Sequence, residues 1–325
     1  MLFRSMLRGL KAKTYNLTAV VTVADDGGST GRIRQDLDII APGDLRNCLV
    51  ALADKEGLME KLFAHRFGGS GNLTGHSFGN LFIAALIEVL GDVEEAMDAT
   101  SKVLRVRGKV IPSSAEKLRL NAEMTDGRIV EGESQIPHAH GKIKRVFTTP
   151  EHPRAIQSAV DAIREADAIV LGPGSLYTSI MPNLCVPDIV QAVRTSKAPK
   201  IYICNVMTQP GETDDYTVSD HIRAINRQAG GKVIDFVIAN NGDVDPAVLQ
   251  RYVAHGSHPV MIDKKEVSQT GATLILSNLI NKENSATHDT KKLANVLFDL
   301  INALRTDLSP ELLHYYLKRY TFNHR

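Results

Sequence analysis

Apolar runs cut off by polar turns divide this chain into elements. Thr18 to Ala24 (TAVVTVA) has the length and continuity of a strand buried on both faces, and it stops abruptly at Asp25-Asp26-Gly27-Gly28. Ahead of it, Leu2, Met6, Leu7 and Leu10 stand near helical spacing and predict a surface helix over 2–12. After Pro42-Gly43, DLRNCLVALAD predicts a helix with Asp44 available as its cap, and GLMEKLFAHRF continues the helical pattern. GGSGNLTG breaks it. His76 to Leu90 then reads as a largely apolar, buried helix, and VEEAMDATSKVL as a more amphipathic one.

From Gly108 the pattern changes. KVIPSS, KLRLNAEM, GRIVEGES and KIKRVFTTP are short β-leaning pieces separated by turn residues, with the hairpin signal Asp126-Gly127 among them. They predict a small antiparallel insertion at about 108–150. Beyond it comes a strict alternation: helix 154–166, strand ADAIVLG, helix 184–195, strand KIYICNV, helix 217–229, strand VIDFVIA, helix 246–254, strand HPVMI. Strands alternating with helices imply right-handed crossovers and a mostly parallel sheet, an α/β protein. No low-complexity linker interrupts the chain, so a single domain with a β-rich insertion is expected over its 325 residues.

Composition narrows the partners. With 38 basic and 37 acidic residues the formal charge is +1, so no global field recruits nucleic acid or an anionic membrane, and any anion site must be local. Cys48, Cys185 and Cys204 are far apart and show neither disulfide nor zinc spacing, which fits a reducing cytoplasm. No stretch approaches the roughly 18 apolar residues of a membrane span. MLFRSMLRGLKAK lacks the apolar core and cleavage site of a signal peptide.

The chemistry gathers at strand ends. Asp25 and Asp26 emerge at the carboxyl end of the first strand, and Gly27, Gly28 and Gly31 let backbone N–H groups approach a ligand. In open α/β sheets that edge binds ligands. The plainer alternative is a glycine turn whose aspartate caps the next helix. Paired Asp25 and Asp26 could also hold Mg²⁺ through a phosphate. A second loop, GPGSLYTSIMPN, follows Ala168 to Leu171: Gly172 and Gly174 leave room, and Ser175, Tyr177, Thr178 and Ser179 supply hydroxyls suited to phosphate. A third strand end, YICNVMTQPGETDDYT, places Asn205, Thr208 and Gln209 where they could read a base or sugar, while Asp214 and Asp215 favour the next helix start.

Gly75-His76-Ser77-Phe78-Gly79 matches the nucleophile elbow of serine hydrolases, but its glycine-rich approach is no buried strand, and the match is discounted. His76 and Asn80, four apart, would share a helix face and could meet a phosphate at the helix start; equally, Ser77 is a cap and Asn80 a satisfied core amide. The chain has no GxxxxGK[ST], and GPGSLY lacks the third glycine of GxGxxG, which disfavours Walker-type NTPases and dinucleotide dehydrogenases.

In order along the chain, ADDGGSTGRIRQDL, PGDLRN, LTGHSFGNLFIAAL, VRGKVIP, GPGSLYTSIMPNL and YICNVMTQPGETDDYT resemble the gluconeogenesis factors of bacteria, relatives of the 2-phospho-lactate transferases that build a deazaflavin coenzyme. The resemblance covers nearly the whole chain. It implies a Rossmann-like core with helices on both faces of the sheet, a cytoplasmic protein, and a role in gluconeogenic growth and cell shape. It also implies binding of a nucleotide sugar such as UDP-N-acetylglucosamine without established turnover. Ser29, and Asp44 and Asn47 of PGDLRN, join the candidate ligand contacts, as does Tyr252, which spacing alone would make a helix-surface or core aromatic. Two departures stand out. The strand and GGGTG-type loop expected ahead of Leu2 are absent, which would weaken nucleotide affinity. Thr287-His288-Asp289 replaces an expected Arg-His-Asn or Arg-His-Asp, with Arg251 or Lys291 as substitutes for the lost basic contact.

The expectation is therefore a nucleotide-sugar or phosphate-ligand regulator whose loops 25–31 and 172–179 hold the diphosphate, with Asn205, Thr208, Gln209 and Tyr252 on uridine or sugar. A Mg²⁺-dependent phosphoryl or nucleotidyl transferase is the alternative. Homo-oligomerisation and protein partners stay open.

Overall fold

The structure, a computed structural model, describes residues 2–54, 57–281 and 285–305. The chain forms two compact units. The first comprises Thr14–Ala162 with Pro182–Val190; the second comprises the amino-terminal segment through Lys13, Ile163–Met181 and the chain from Gln191 onward.

In the first unit, β1 (Thr18–Val21) pairs in parallel with β2 (Lys109–Pro112), Thr18 opposite Lys109 and Val21 opposite Pro112. Val23 and Ala24 stay fully buried beyond the last paired residue, so the chain surfaces at Asp25, as the end of the apolar run predicts. Helices Gly28–Leu37, Gly43–Leu52, Leu58–Ala64, Phe78–Leu90 and Val93–Leu104 lie between β1 and β2. A separate antiparallel sheet follows, β3 (Arg119–Met124), β4 (Ile129–Glu131) and β5 (Ile143–Thr149), in the order β4-β3-β5. The antiparallel element thus begins later than the composition change at Gly108 suggests, because Lys109–Pro112 is bonded to β1 instead.

In the second unit four parallel strands run in chain order: β6 (Ile169–Leu171), β7 (Lys200–Ile203), β8 (Phe236–Asn240) and β9 (Thr273–Ser277). Consecutive residues of β7 and β8, Ile201 to Ile203 and Val237 to Ala239, are all buried, which requires cover on both faces. Between these strands, helix Val218–Gln228 starts from a capping box: Thr217 accepts from the Asp220 N–H, and the Asp220 carboxylate accepts from the Thr217 N–H. The acid within the first turn of that helix is Asp220, while Asp214 closes a turn on the Gly211 N–H at 2.8 Å. Asp245 caps Pro246–Val253.

The α/β class therefore holds, with parallel and antiparallel sheets both present. Among the described residues a Rossmann strand order is not seen: β6-β7-β8-β9 runs without reversal, and the described part of this sheet has no internal switch point. The expected strand HPVMI makes isolated bridges alone, Pro259 to Met207 and Met261 to Thr217; the fourth strand is Thr273–Ser277. The amino-terminal helix, Leu2–Leu10, is not a free surface helix, since Met6, Leu7 and Leu10 are buried. Gly9 lets it approach helix Thr290–Arg305: a Cβ there would stand 2.4 Å from the Thr290 carbonyl oxygen. Among the described residues no helix is long and apolar enough to cross a membrane, and the three cysteines form no disulfide.

Candidate functional site

The candidate residues fall into two sets, one in each unit. The first is built at the turn after β1. Asp25 accepts from the Gly27 N–H at 2.9 Å, and a Cβ on Gly43 would lie 2.7 Å from its other carboxylate oxygen, so the start of helix Gly43–Leu52 is pressed against it. Burial, and next the charge of Asp44, raise the Asp25 carboxyl above its ordinary range, against the bonds from Gly27 and Thr30. Asp26 turns elsewhere: its carboxylate accepts from the Glu133 and Ser134 N–H groups at 3.1 and 2.9 Å. The acid facing Asp25 most strongly is thus Asp44, not its neighbour in sequence. Asp44 does not cap its helix; Pro42 holds the cap position, and Asp44 instead accepts from Asn47 at 3.4 Å. Arg34, a residue sequence reasoning did not single out, clamps the turn by donating to the carbonyls of Asp25 at 3.0 Å and Leu118 at 2.7 Å. Among the described residues there is no group of three or more His, Cys, Asp or Glu side chains placed to hold a metal ion.

Ser29 lies in the first turn of Gly28–Leu37, a helix whose cap residue, Gly27, offers no side chain. Its Oγ is 3.3 Å from His76 Nδ1, and it accepts from the Ser77 N–H at 3.3 Å and from Asn80 Nδ2 at 3.4 Å. Asn80 also reaches Thr30 Oγ1 at 3.5 Å, while its own Oδ1, buried, has no partner among the described residues. His76 precedes its helix, which starts at Phe78, so the two side chains do not share a helix face. They nevertheless meet at Ser29. Burial, and next the nearby Arg32, lower the His76 imidazole below its ordinary value. Ser77 is fully buried and donates to the Phe63 carbonyl at 3.2 Å, with no strand leading into it, as the discounted elbow predicts.

The second set lies at the carboxyl ends of β6 and β7. Asn205 donates to the Gly174 carbonyl at 2.8 Å, and Gln209 to Ser175 Oγ at 2.7 Å. Glu212 accepts from the Tyr177 N–H and from Thr178 Oγ1, each at 3.2 Å. Two loops from adjacent strands are thereby laced together. Gly172, at φ +81°, sits where a Cβ would meet the Ile203 carbonyl at 2.9 Å. Ser179 returns its N–H to the Ser175 carbonyl at 3.0 Å. Asn205 Oδ1 and Gln209 Oε1 are buried without a partner among the described residues. The Tyr177 hydroxyl is 2.7 Å from that of Tyr216, so it supports the loop from behind. Burial pushes the Glu212 carboxyl up to about 7. No local pattern in Pro-Gly-Glu-Thr marks Glu212 as buried, and sequence reasoning missed it.

Thr208 is pinned to the following segment, its N–H donating to the His258 carbonyl at 2.7 Å and its Oγ1 accepting from the His258 N–H at 2.9 Å. Tyr252 packs against Val206, Met207, Val248, Ile280 and Ala286, beside the Asn205–Gln209 loop. A recess of about 310 Å³ shares Val248 and Ile280 with that cluster and is edged by Asp243, Asp245, Asn278 and Asn281. His288 is buried, and burial pushes its imidazole down to about 4, so it supplies no cation. Lys291 is exposed.

Strand ends of this kind, carrying glycine turns and amide side chains, belong here to an α/β protein with parallel and antiparallel sheets. A family model described as 2-phospho-L-lactate transferase CofD matches residues 3–280. The gluconeogenesis factor of Bacillus subtilis (strain 168) is 50% identical over 297 residues, covering 91% of this chain and 94% of that protein. A relative from Nostoc sp. is 52% identical over 296 residues, which are 90% of this chain but 65% of the relative's length. A crystal structure of a protein from Bacillus halodurans superposes with a TM-score of 0.89 at 45% identity, covering 92% of this chain and 96% of that one. The chain belongs to the gluconeogenesis factor family, which is related to the CofD-type transferases.

Proposed function

We propose that this protein is a cytoplasmic regulator that binds a nucleotide sugar, UDP-N-acetylglucosamine or a close relative, at the carboxyl ends of the second unit's strands, and that it serves gluconeogenic growth and cell shape. The observation that carries this reading is the lacing of Gly172–Ile180 to Asn205–Glu212. Asn205 and Gln209 each spend one amide group on the facing loop and keep a buried oxygen with no partner. Leaving such an oxygen unpaired costs about 1–3 kcal/mol, a cost that a ligand hydroxyl or N–H would remove. Sugar and ribose hydroxyls have that chemistry. Tyr252 offers an aromatic wall beside the same loop. Titration calorimetry with UDP-N-acetylglucosamine tests this: Gln209→Ala and Tyr252→Ala should each weaken binding about tenfold or more. Unaltered affinity in both variants would overturn it.

A second reading, a Mg²⁺-dependent phosphoryl or nucleotidyl transferase, draws on Asp25 and Asp44. Two neighbouring carboxylates, one raised by burial and by the other's charge, suit a divalent cation, which would neutralise charge on a transferred group. Incubation with nucleoside triphosphate or nucleotide sugar, Mg²⁺ and cell extract distinguishes the two, since a new product forms only if the protein is an enzyme.

A further inference from the structure

Gly75-His76-Ser77-Phe78-Gly79 fails as a nucleophile elbow because no strand enters it and Ser77 Oγ is committed to Phe63. The same pattern occurs a second time. Gly27-Gly28-Ser29-Thr30-Gly31 is also G-x-S-x-G, and here the context is met: β1 leads into the turn and helix Gly28–Leu37 leaves it. Of its three glycines Gly31 is needed for close packing, as a Cβ there would stand 2.0 Å from the Asp26 carbonyl oxygen. Positive φ falls on Gly28 (+48°) rather than on the serine, one residue earlier than in the hydrolase elbow.

Three groups surround Ser29 Oγ: His76 Nδ1 at 3.3 Å, the Ser77 N–H at 3.3 Å and Asn80 Nδ2 at 3.4 Å. The last two can only donate. The serine hydroxyl has a single hydrogen, so the remaining partner, His76 Nδ1, is the acceptor and its proton sits on Nε2. That is the arrangement of a nucleophile with its general base, slightly long as such contacts are before substrate binds. Two further observations supply the rest of a reaction site. The N–H groups of the helix's first turn have no side-chain cap, the kind of donor that stabilises charge developing on an attacked oxygen. Asn80, 1% exposed, holds an unpartnered Oδ1 beside them.

We propose that Ser29 is a nucleophile and His76 its general base, acting on small uncharged esters in the first unit. As Oγ attacks the carbonyl carbon, its proton passes to His76 Nδ1. The Oγ–C bond forms, the C–O bond to the alkoxy group breaks, and the alcohol leaves with the proton from His76. Water then gives a proton to His76 and attacks the acyl-serine, releasing the acid and returning the proton to Ser29 Oγ. The nearby Asp25 and Asp44 carboxylates repel anionic substrates, which restricts the class to neutral ones. Charged groups acting on His76 are Arg32 and Asp36, both on helix Gly28–Leu37.

A fluorophosphonate probe on the full chain tests the proposal, because attack forms an Oγ–P bond and expels fluoride. Mass spectrometry should find the phosphonyl group on the peptide containing Ser29, and His76→Gln should slow labelling about a hundredfold. In the wild-type protein the labelling rate should fall only on acidification below the ordinary imidazole range, as the lowered His76 imidazole protonates. Absence of label, label on Ser77 or another residue, or an undiminished rate in a folded His76→Gln protein would overturn it. Should His76→Gln fail to fold, a wild-type rate that does not fall with acidification at any pH where the protein stays folded would do so. Nucleotide-sugar binding in the second unit is untouched by either result.

Discussion

The polar turn after β1 and the laced loops after β6 and β7 occupy the same kind of place, the carboxyl end of parallel strands, yet they are assembled from different materials. In the first unit, carboxylates, a hydroxyl and an imidazole from four segments meet at an uncapped helix start, and two of the acids oppose each other. In the second, amide side chains bind a backbone carbonyl and a hydroxyl, and the buried acid Glu212 is spent on the facing loop. The first arrangement gathers charged and titratable groups; the second presents shape and unpaired amide oxygens. A strand end in this fold therefore fixes where polar side chains gather, and the side chains delivered from elsewhere decide which groups they are.

Substitutions can break that comparison at graded cost. Gly31→Ala should have the largest effect, about 3 kcal/mol or more lost in a denaturant melt, because the new Cβ meets backbone rather than a movable side chain. Gly28→Ala, in open space at φ +48°, should cost about 1 kcal/mol. Equal losses would refute the close-packing role of Gly31.

Glu212 separates the units by pH. Its folded carboxyl, at about 7, lies above the model-peptide 4.5 of the unfolded chain, so the folded state holds its proton longer. Stability should be fully present below about pH 4.5 and decline until about pH 7, by up to about 3 kcal/mol. Glu212→Gln should flatten this slope, read as urea midpoints across pH 4.5–7.5. An unchanged slope would assign the titration to another group.

Tyr252→Ala should cost about 2 kcal/mol as well as ligand affinity, since it packs against the buried cluster that contains Val206, Met207 and Val248. Ser77→Ala should have the smallest effect, about 1 kcal/mol for the lost bond to Phe63, with no change in labelling by a fluorophosphonate.

Much of the fold was legible in the apolar pattern. The run at Thr18–Ala24, the helices around residues 43–104 and the alternation after 154 all correspond to observed elements, because burial on both faces leaves a continuous apolar stretch. Thr273–Ser277 was missed in favour of HPVMI: both are short apolar runs, and only hydrogen-bonded neighbours tell a strand from a segment making single bridges. Lys109–Pro112 was grouped with the antiparallel pieces because a partner 91 residues earlier, Thr18, leaves no local trace. For the sites, strand ends announced Asp25, Gly172 and Asn205. The pairing of Ser29 with His76, 47 residues apart, and the burial of Glu212 arise from tertiary packing that no spacing encodes.

Hydrogen–deuterium exchange of the full chain with and without UDP-N-acetylglucosamine addresses the central claim directly. Peptides spanning 172–180 and 205–212 should gain protection on ligand addition, with those around Tyr252 following. Protection absent from both segments, while ligand is bound, would contradict the assignment of the second unit's laced loops as the binding site.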